Sequence, residues 1–185
     1  ALSVNGPVSE AELAKLGAVR EQFADDPLLK TGAVKLVADG VIESHTAAML
    51  APYANKPGTA GDPRYTAAQL SETVMLLDRE GWQVMTDAIG DAAVRMTLDA
   101  YEAAAKANPA PERGRRHRLE HIETIDLADI PRFGKLGVVV ALLGTVIIVP
   151  AVFAYVLGMV FSLDVSILKD TFRILVASVV YGLVI

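Results

Sequence analysis

Short apolar runs rich in Val and Ile alternate with longer stretches of helical period from Ala1 to Gly137, and that alternation leaves few folds open. Ala33 to Ala38, Trp82 to Thr86 and His117 to Glu120 read as strands, with a fourth beginning at Gly137. Helical patterns fill the gaps. "TAAQLSETVMLLDRE" opens with Thr66 and Gln69 at capping-box spacing, and Leu70, Val74 and Leu77 continue as an apolar stripe. "SEAELAKLGAVREQF" repeats the pattern with Ser9 and Glu12. A third helix is predicted from about Asp91 to Lys106, closing before Asn108-Pro109, and a fourth from Asp126 as its N-cap. Strands joined through helices must run parallel, so the expectation is an α/β fold of three to four βα units.

A parallel sheet delivers all its strand C-termini to one rim, where function concentrates. Asp39, Asp87 and His121 each end a predicted strand, so they should gather there, with Lys35 inside its strand reaching toward them. The long Pro- and Gly-rich connection from Asp39 to Tyr65 should cover the same rim. Each residue also has a plainer reading: a strand-end Asp caps a turn, and a single His is a satisfied polar group. Asp91 at a helix start is expected to cap it, His45 in the long loop to face solvent, and His117 to do no more than open its strand.

Charge divides the chain into two materials. Of its 17 basic and 22 acidic residues, all but Asp164, Lys169, Asp170 and Arg173 precede Val138. From Leu136 to Leu163 there is no charge at all, a length sufficient to cross the roughly 30 Å hydrocarbon core. Residues 138–185 are therefore expected to form a hydrophobic helical tail with one membrane span and a second, shorter apolar stretch. The alternative is that Val138 to Leu142 is a buried strand and the rest a core helix. Arg132 and Lys135, just ahead of the span, place the N-terminal part, residues 1–137, on the cytoplasmic side. A net charge of -5 argues against nucleic acid as a partner, and "PERGRRHR" reads as a solvated loop. With no cysteine, disulfides, thiolate metal sites and a cysteine nucleophile are excluded. The first residues carry no signal-peptide layout, and the chain is expected to be a segment of something longer.

Three blocks, "LLKTGAVKLVADGVIESHTAAMLAPY", "GWQVMTDAIGDAAVRMTLDAYE" and "RHRLEHIETIDLADIPRFGKLGV", resemble in order and spacing the middle of the metal-dependent amidohydrolases of the amidohydrolase-3 type. The resemblance covers about residues 10 to 140 and implies a (β/α)8 TIM barrel, of which this chain would supply a partial run. It implies hydrolysis of C–N bonds in small amides or N-acyl compounds, using one or two divalent metals, with zinc the first expectation. On the same basis, Lys35 matches the lysine that becomes carboxylated and bridges metals, and His121 in "LEHIE" matches a histidine ligand. Asp87 stands where the family pattern "HAIGD" has a histidine, a departure expected to weaken the metal site. Asp39, Gly90, Asp91 and Glu120 fall on family positions in supporting roles.

Such a metal acidifies a bound water, and neutral imidazole and carboxylate oxygen both suit it as ligands. The family's H-x-H pair does not occur in this sequence. A barrel cannot close from fewer than half its strands, so a partner chain or a missing segment is expected to complete it, and the isolated chain is expected to bind metal weakly. Two other readings stay open: an inactive α/β module tethered to a membrane, and a fused product without selected function.

Overall fold

The computed structural model describes residues 1–141. Its elements in chain order are β1 (Leu2–Ser3), α1 (Glu10–Gln22), β2 (Ala33–Val37), α2 (Ala67–Arg79), β3 (Gln83–Ala88), α3 (Asp91–Ala107), β4 (Arg118–His121), α4 (Ile130–Leu136) and β5 (Val139–Ala141). The five strands form one sheet in the order β1-β2-β3-β4-β5, every pair parallel. A simple sequential order with a helix after each strand is the arrangement of consecutive βα units in a barrel wall. The expected α/β fold is therefore present, as a five-stranded parallel sheet consistent with part of a TIM barrel. The strand foreseen at Gly137 is β5. The two-residue β1 was not foreseen, being too short to show a period.

Local signals explain the helix starts. Thr66 Oγ1 accepts from the Gln69 N–H at 3.2 Å and Gln69 Oε1 accepts from the Thr66 N–H at 2.9 Å, a complete capping box. Only half of the second box forms: Ser9 accepts from the Glu12 N–H, but the Glu12 carboxylate turns outward to Lys15 at 2.7 Å. The fourth helix begins later than expected. Asp126 instead caps the preceding turn, accepting from the Ala128 N–H, because Pro131 fits only the first turn of a helix and so pushes the start to Ile130.

One face of the sheet packs on α2 and α3. Val34, Leu36, Val84, Thr86, Ala88 and Leu119 point there and are fully buried against Leu70, Val74, Leu77, Val94, Leu98 and Tyr101. Each such aliphatic side chain contributes about 2 kcal/mol of burial. The alternate residues Lys35, Met85, Asp87, Arg118 and Glu120 face the other way and are half-buried. In a barrel that second face is the interior.

No helix among the described residues is long and apolar enough to cross a membrane. The expected helical tail, residues 138–185, lies outside the described residues from residue 142 onward, and of its first residues Val139–Ala141 pair with β4 as a strand and not as a helix.

Candidate metal centre

The parallel register brings three strands' chemistry to one place. Lys35 lies opposite Met85, Val37 opposite Asp87, Asp87 opposite Glu120 and Ala88 opposite His121. Lys35 thus starts one layer below Asp87 and Glu120, and its long side chain rises between them. Its Nζ sits 3.1 Å from Asp87 Oδ1 and 3.5 Å from Glu120 Oε2. Arg118 steadies the far side of Glu120, Nη2 to Oε1 at 2.8 Å.

His121 reaches the cluster by a backbone device. Its partner Ala88 faces the helices, so simple alternation would send the imidazole away from Asp87. Instead His121 and Ile122 take φ values of 76° and 49°, the left-handed region that costs a residue with a Cβ about 1–2 kcal/mol. The Ile122 N–H still bonds the Ala88 carbonyl at 3.0 Å, so the strand end is pinned while the imidazole swings round. His121 Nε2 ends 3.5 Å from Asp87 Oδ1.

Asp87 Oδ1 is the focus of this arrangement. It is buried and takes no aligned hydrogen bond, although Lys35 Nζ is 3.1 Å away. The contact is a close ion pair, so Asp87 Oδ1 is held by the ammonium and not by a backbone donor. Burial works against the Lys35 charge, but the pull of Asp87, with Glu120 behind it, outweighs burial and holds Lys35 above the usual lysine range. The ammonium is the cation that now balances these carboxylates.

The donors fit part of a metal's coordination shell. Bonds of about 2.0–2.2 Å from nitrogen and oxygen in a tetrahedral arrangement set the two donors about 3.4 Å apart, close to the spacing of Asp87 Oδ1 and His121 Nε2. Among the described residues no group of three His, Cys, Asp or Glu converges to hold an ion unaided. Asp87 and His121 are thus two side chains that could meet an ion there.

The other residues singled out from the sequence lie elsewhere. Asp39 is buried behind the rim, where its Oδ2 accepts from the Ala48 and Gly90 N–H groups at 2.9 Å and its Oδ1 from Ile89 at 3.0 Å. It staples the long loop to the end of β3 and does not join the cation cluster. Asp91 makes no cap for α3; it accepts from the Leu50 N–H at 2.8 Å and ties down the same loop. The N–H groups of Ala92 and Ala93 are met by the Ala48 carbonyl. His45 bonds Asn55 at 3.1 Å and meets the Tyr53 ring edge-on, within its own loop.

His117 is more than a strand opener. It is buried, its Nδ1 accepting from the Val84 N–H and its Nε2 bonded to Asp78 Oδ1, each at 3.1 Å. Arg115, from the stretch expected to be solvated, also grips Asp78, at 3.0 Å. Arg118 was overlooked as a member of the cluster, and Glu120 was foreseen only as a support. A strict period of two from Arg118 to Glu120, set beside Asp87, was the signal that could have placed both.

Residues 5–154 match the model of the amidohydrolase family. The chain is 38% identical over 111 residues to Protein LONG AFTER FAR-RED 3 of Arabidopsis thaliana, covering 60% of this chain and 19% of that protein. It is 30% identical over 112 residues to YtcJ of Bacillus subtilis, which is named as an amidohydrolase, covering 60% of this chain and 20% of that one. An uncharacterized metal-dependent hydrolase from Pyrococcus furiosus superposes with a TM-score of 0.57 at 27% identity, over 69% of this chain and 26% of that chain. The chain thus spans about a fifth of the length of the curated relatives it matches.

Proposed function

The chain belongs to the amidohydrolase family, and from that premise we propose that Lys35, Asp87 and His121 form one wall of a divalent metal centre that serves hydrolysis of C–N bonds in small amides or N-acyl compounds. The observation that carries this reading is the convergence on the buried Oδ1 of Asp87 of Lys35 Nζ, at 3.1 Å, and His121 Nε2, at 3.5 Å. A bound divalent ion, zinc or a harder neighbour, would supply Lewis acidity and an acidified water. Asp87 would hold it through oxygen and His121 through nitrogen. Glu120 and Arg118 fix the path of the Lys35 side chain, which enters the shell only after giving up its ammonium charge, as the carbamate of the family resemblance would. Two firm protein donors make a weak centre compared with the three of an ordinary catalytic zinc site.

A second reading rests on the ion pairs themselves. Lys35 and Arg118 already balance Asp87 and Glu120, so the module is electrically complete without a metal and could act by binding alone. The uncharged run that continues beyond Ala141 supports a membrane tether in that case.

Equilibrium dialysis of the full chain against zinc or manganese, followed by assay of amine release from N-acyl amides, separates the two readings. The metal reading expects binding that weakens at least about tenfold in His121→Ala, since one of two protein donors is lost. Equal binding by both proteins would remove His121, and the centre with it.

A further inference from the structure

The three asparagines of the chain differ sharply in what surrounds them. Asn108 donates to the Met75 carbonyl at 3.0 Å and to Asp78 at 2.9 Å, and the proline after it has no N–H. Asn55 bonds His45 at 3.1 Å, and the N–H that follows it, on Lys56, is taken by the Tyr53 carbonyl at 3.0 Å. Asn5 is exposed, and among the described residues neither its side chain nor the Gly6 N–H has a hydrogen-bond partner. Gly6 holds φ at 96°, in the left-handed region, and a Cβ built there would meet nothing within 4 Å. The space around this one peptide link is open.

We propose that Asn5-Gly6 is a self-modification site whose conversion releases β1 from the sheet. The Gly6 nitrogen, giving its proton to solvent base, bonds to Asn5 Cγ and expels ammonia; water then opens the resulting succinimide to aspartate or isoaspartate. One water is consumed, one ammonia leaves, and nothing is oxidised or reduced. The isoaspartyl product routes the main chain through the former side chain, which makes it one carbon longer. That carbon falls between two anchors. On one side the Val4 N–H bonds the Lys35 carbonyl at 3.0 Å; on the other the Gly6 carbonyl accepts from the Tyr65 hydroxyl at 3.0 Å and the Val8 N–H is met by Thr73 at 3.2 Å. Tyr65 and Thr73 are 3% and 1% exposed, whereas Leu2 and Val4 are only half-buried and the two-residue β1 pairs on one side alone. The β1 side is therefore the one that yields, and its release uncovers the outer edge of β2, the strand that carries Lys35. None of this depends on the metal reading above.

The test ages the full chain in mildly alkaline buffer beside a free peptide of residues 1–10, follows conversion by peptide mass, and identifies the isoaspartyl linkage with an isoaspartyl methyltransferase. Asn5 should lose its amide at a rate comparable to that of the peptide, mainly to isoaspartate, while Asn55 and Asn108 keep theirs. Hydrogen exchange should then show that the Val4 N–H, protected in the fresh chain, has lost its protection in the aged one. Asn5→Gln, whose longer side chain closes such a ring far more slowly, should keep both its amide and the Val4 protection through the same treatment. Unaged Asn5→Asp adds the charge without the carbon and should also keep Val4 protected. An Asn5 that stays intact while the peptide converts overturns the proposal. Conversion that leaves Val4 protected overturns it as well, as does an unaged Asn5→Asp in which Val4 is already exposed to exchange, since charge and not chain length would then be the cause.

Discussion

Asp39 and Asp87 end neighbouring strands, yet the groups around them give them opposite tasks. Asp39 is 1% exposed and both its oxygens are filled by backbone N–H groups of Ala48, Ile89 and Gly90. Burial raises its carboxyl above the usual aspartate range, with the three N–H bonds pulling the other way. Asp87 has the reverse arrangement, with no backbone N–H on its Oδ1 and a lysine and a histidine beside it. Asp39 is therefore held by backbone and Asp87 by the side chains that face the second side of the sheet. Replacing Asp39 with Ala would strand three buried donors at once, and we expect a loss of about 3 kcal/mol or more in urea denaturation, since each orphaned group costs about 1–3 kcal/mol. A loss within about 0.5 kcal/mol, the range of ordinary surface substitutions, would mean that the loop finds other partners for those N–H groups.

At the scale of elements, the rim is held by the junction of the long loop with α3. The Ala48 carbonyl meets the N–H groups of Ala92 and Ala93, and Gly90 lies so close that an added Cβ would fall 2.0 Å from that oxygen. The φ of Gly90 is -79°, so the glycine is required by close approach and not by an unusual backbone. Gly90→Ala should push the loop from the helix end, lowering stability by about 3 kcal/mol in the same denaturation assay. An unchanged midpoint would show that the loop can retreat without cost. This junction also marks how far the sequence could be read. The strand, turn and helix around Gly90 were legible because each has a local signal, a period or a breaker. The partner of Gly90, Ala48, was not, because nothing local couples residues so far apart. The same holds at His121: its identity marked it as a candidate ligand, but the left-handed turn that aims it at Asp87 leaves no trace in residue type.

At the scale of the whole molecule, the parallel sheet was legible from the βα alternation, since only one sheet type tolerates a helix between every pair of strands. The polar lock on the helix-facing side was not, because it is assembled from distant parts. His117 opens β4, takes the Val84 N–H of β3 and bonds Asp78 at the end of α2, while Arg115 and Asn108 hold the same carboxylate from the loop and from the end of α3. Nδ1 is occupied as an acceptor, so the imidazole cannot take a second proton without surrendering the Val84 N–H. Burial lowers the His117 pKa from 6.5, against the opposing pull of Asp78. An unfolded chain protonates this histidine at a higher pH than the folded one does, so stability falls as pH drops below 6.5 and goes on falling until the folded-state value is passed. Each unit of lowering is worth about 1.4 kcal/mol. Glu102, held down chiefly by Lys106, and Asp126, held down chiefly by the Ala128 N–H, lose their contributions only further down, in the carboxylate range. The window just below pH 6.5 therefore belongs to His117. Denaturation curves at successive pH values should show the native chain weakening across it, whereas His117→Gln, less stable throughout, should stay level there. A parallel decline in both proteins would assign the acid sensitivity to other groups and leave the lock a purely structural feature.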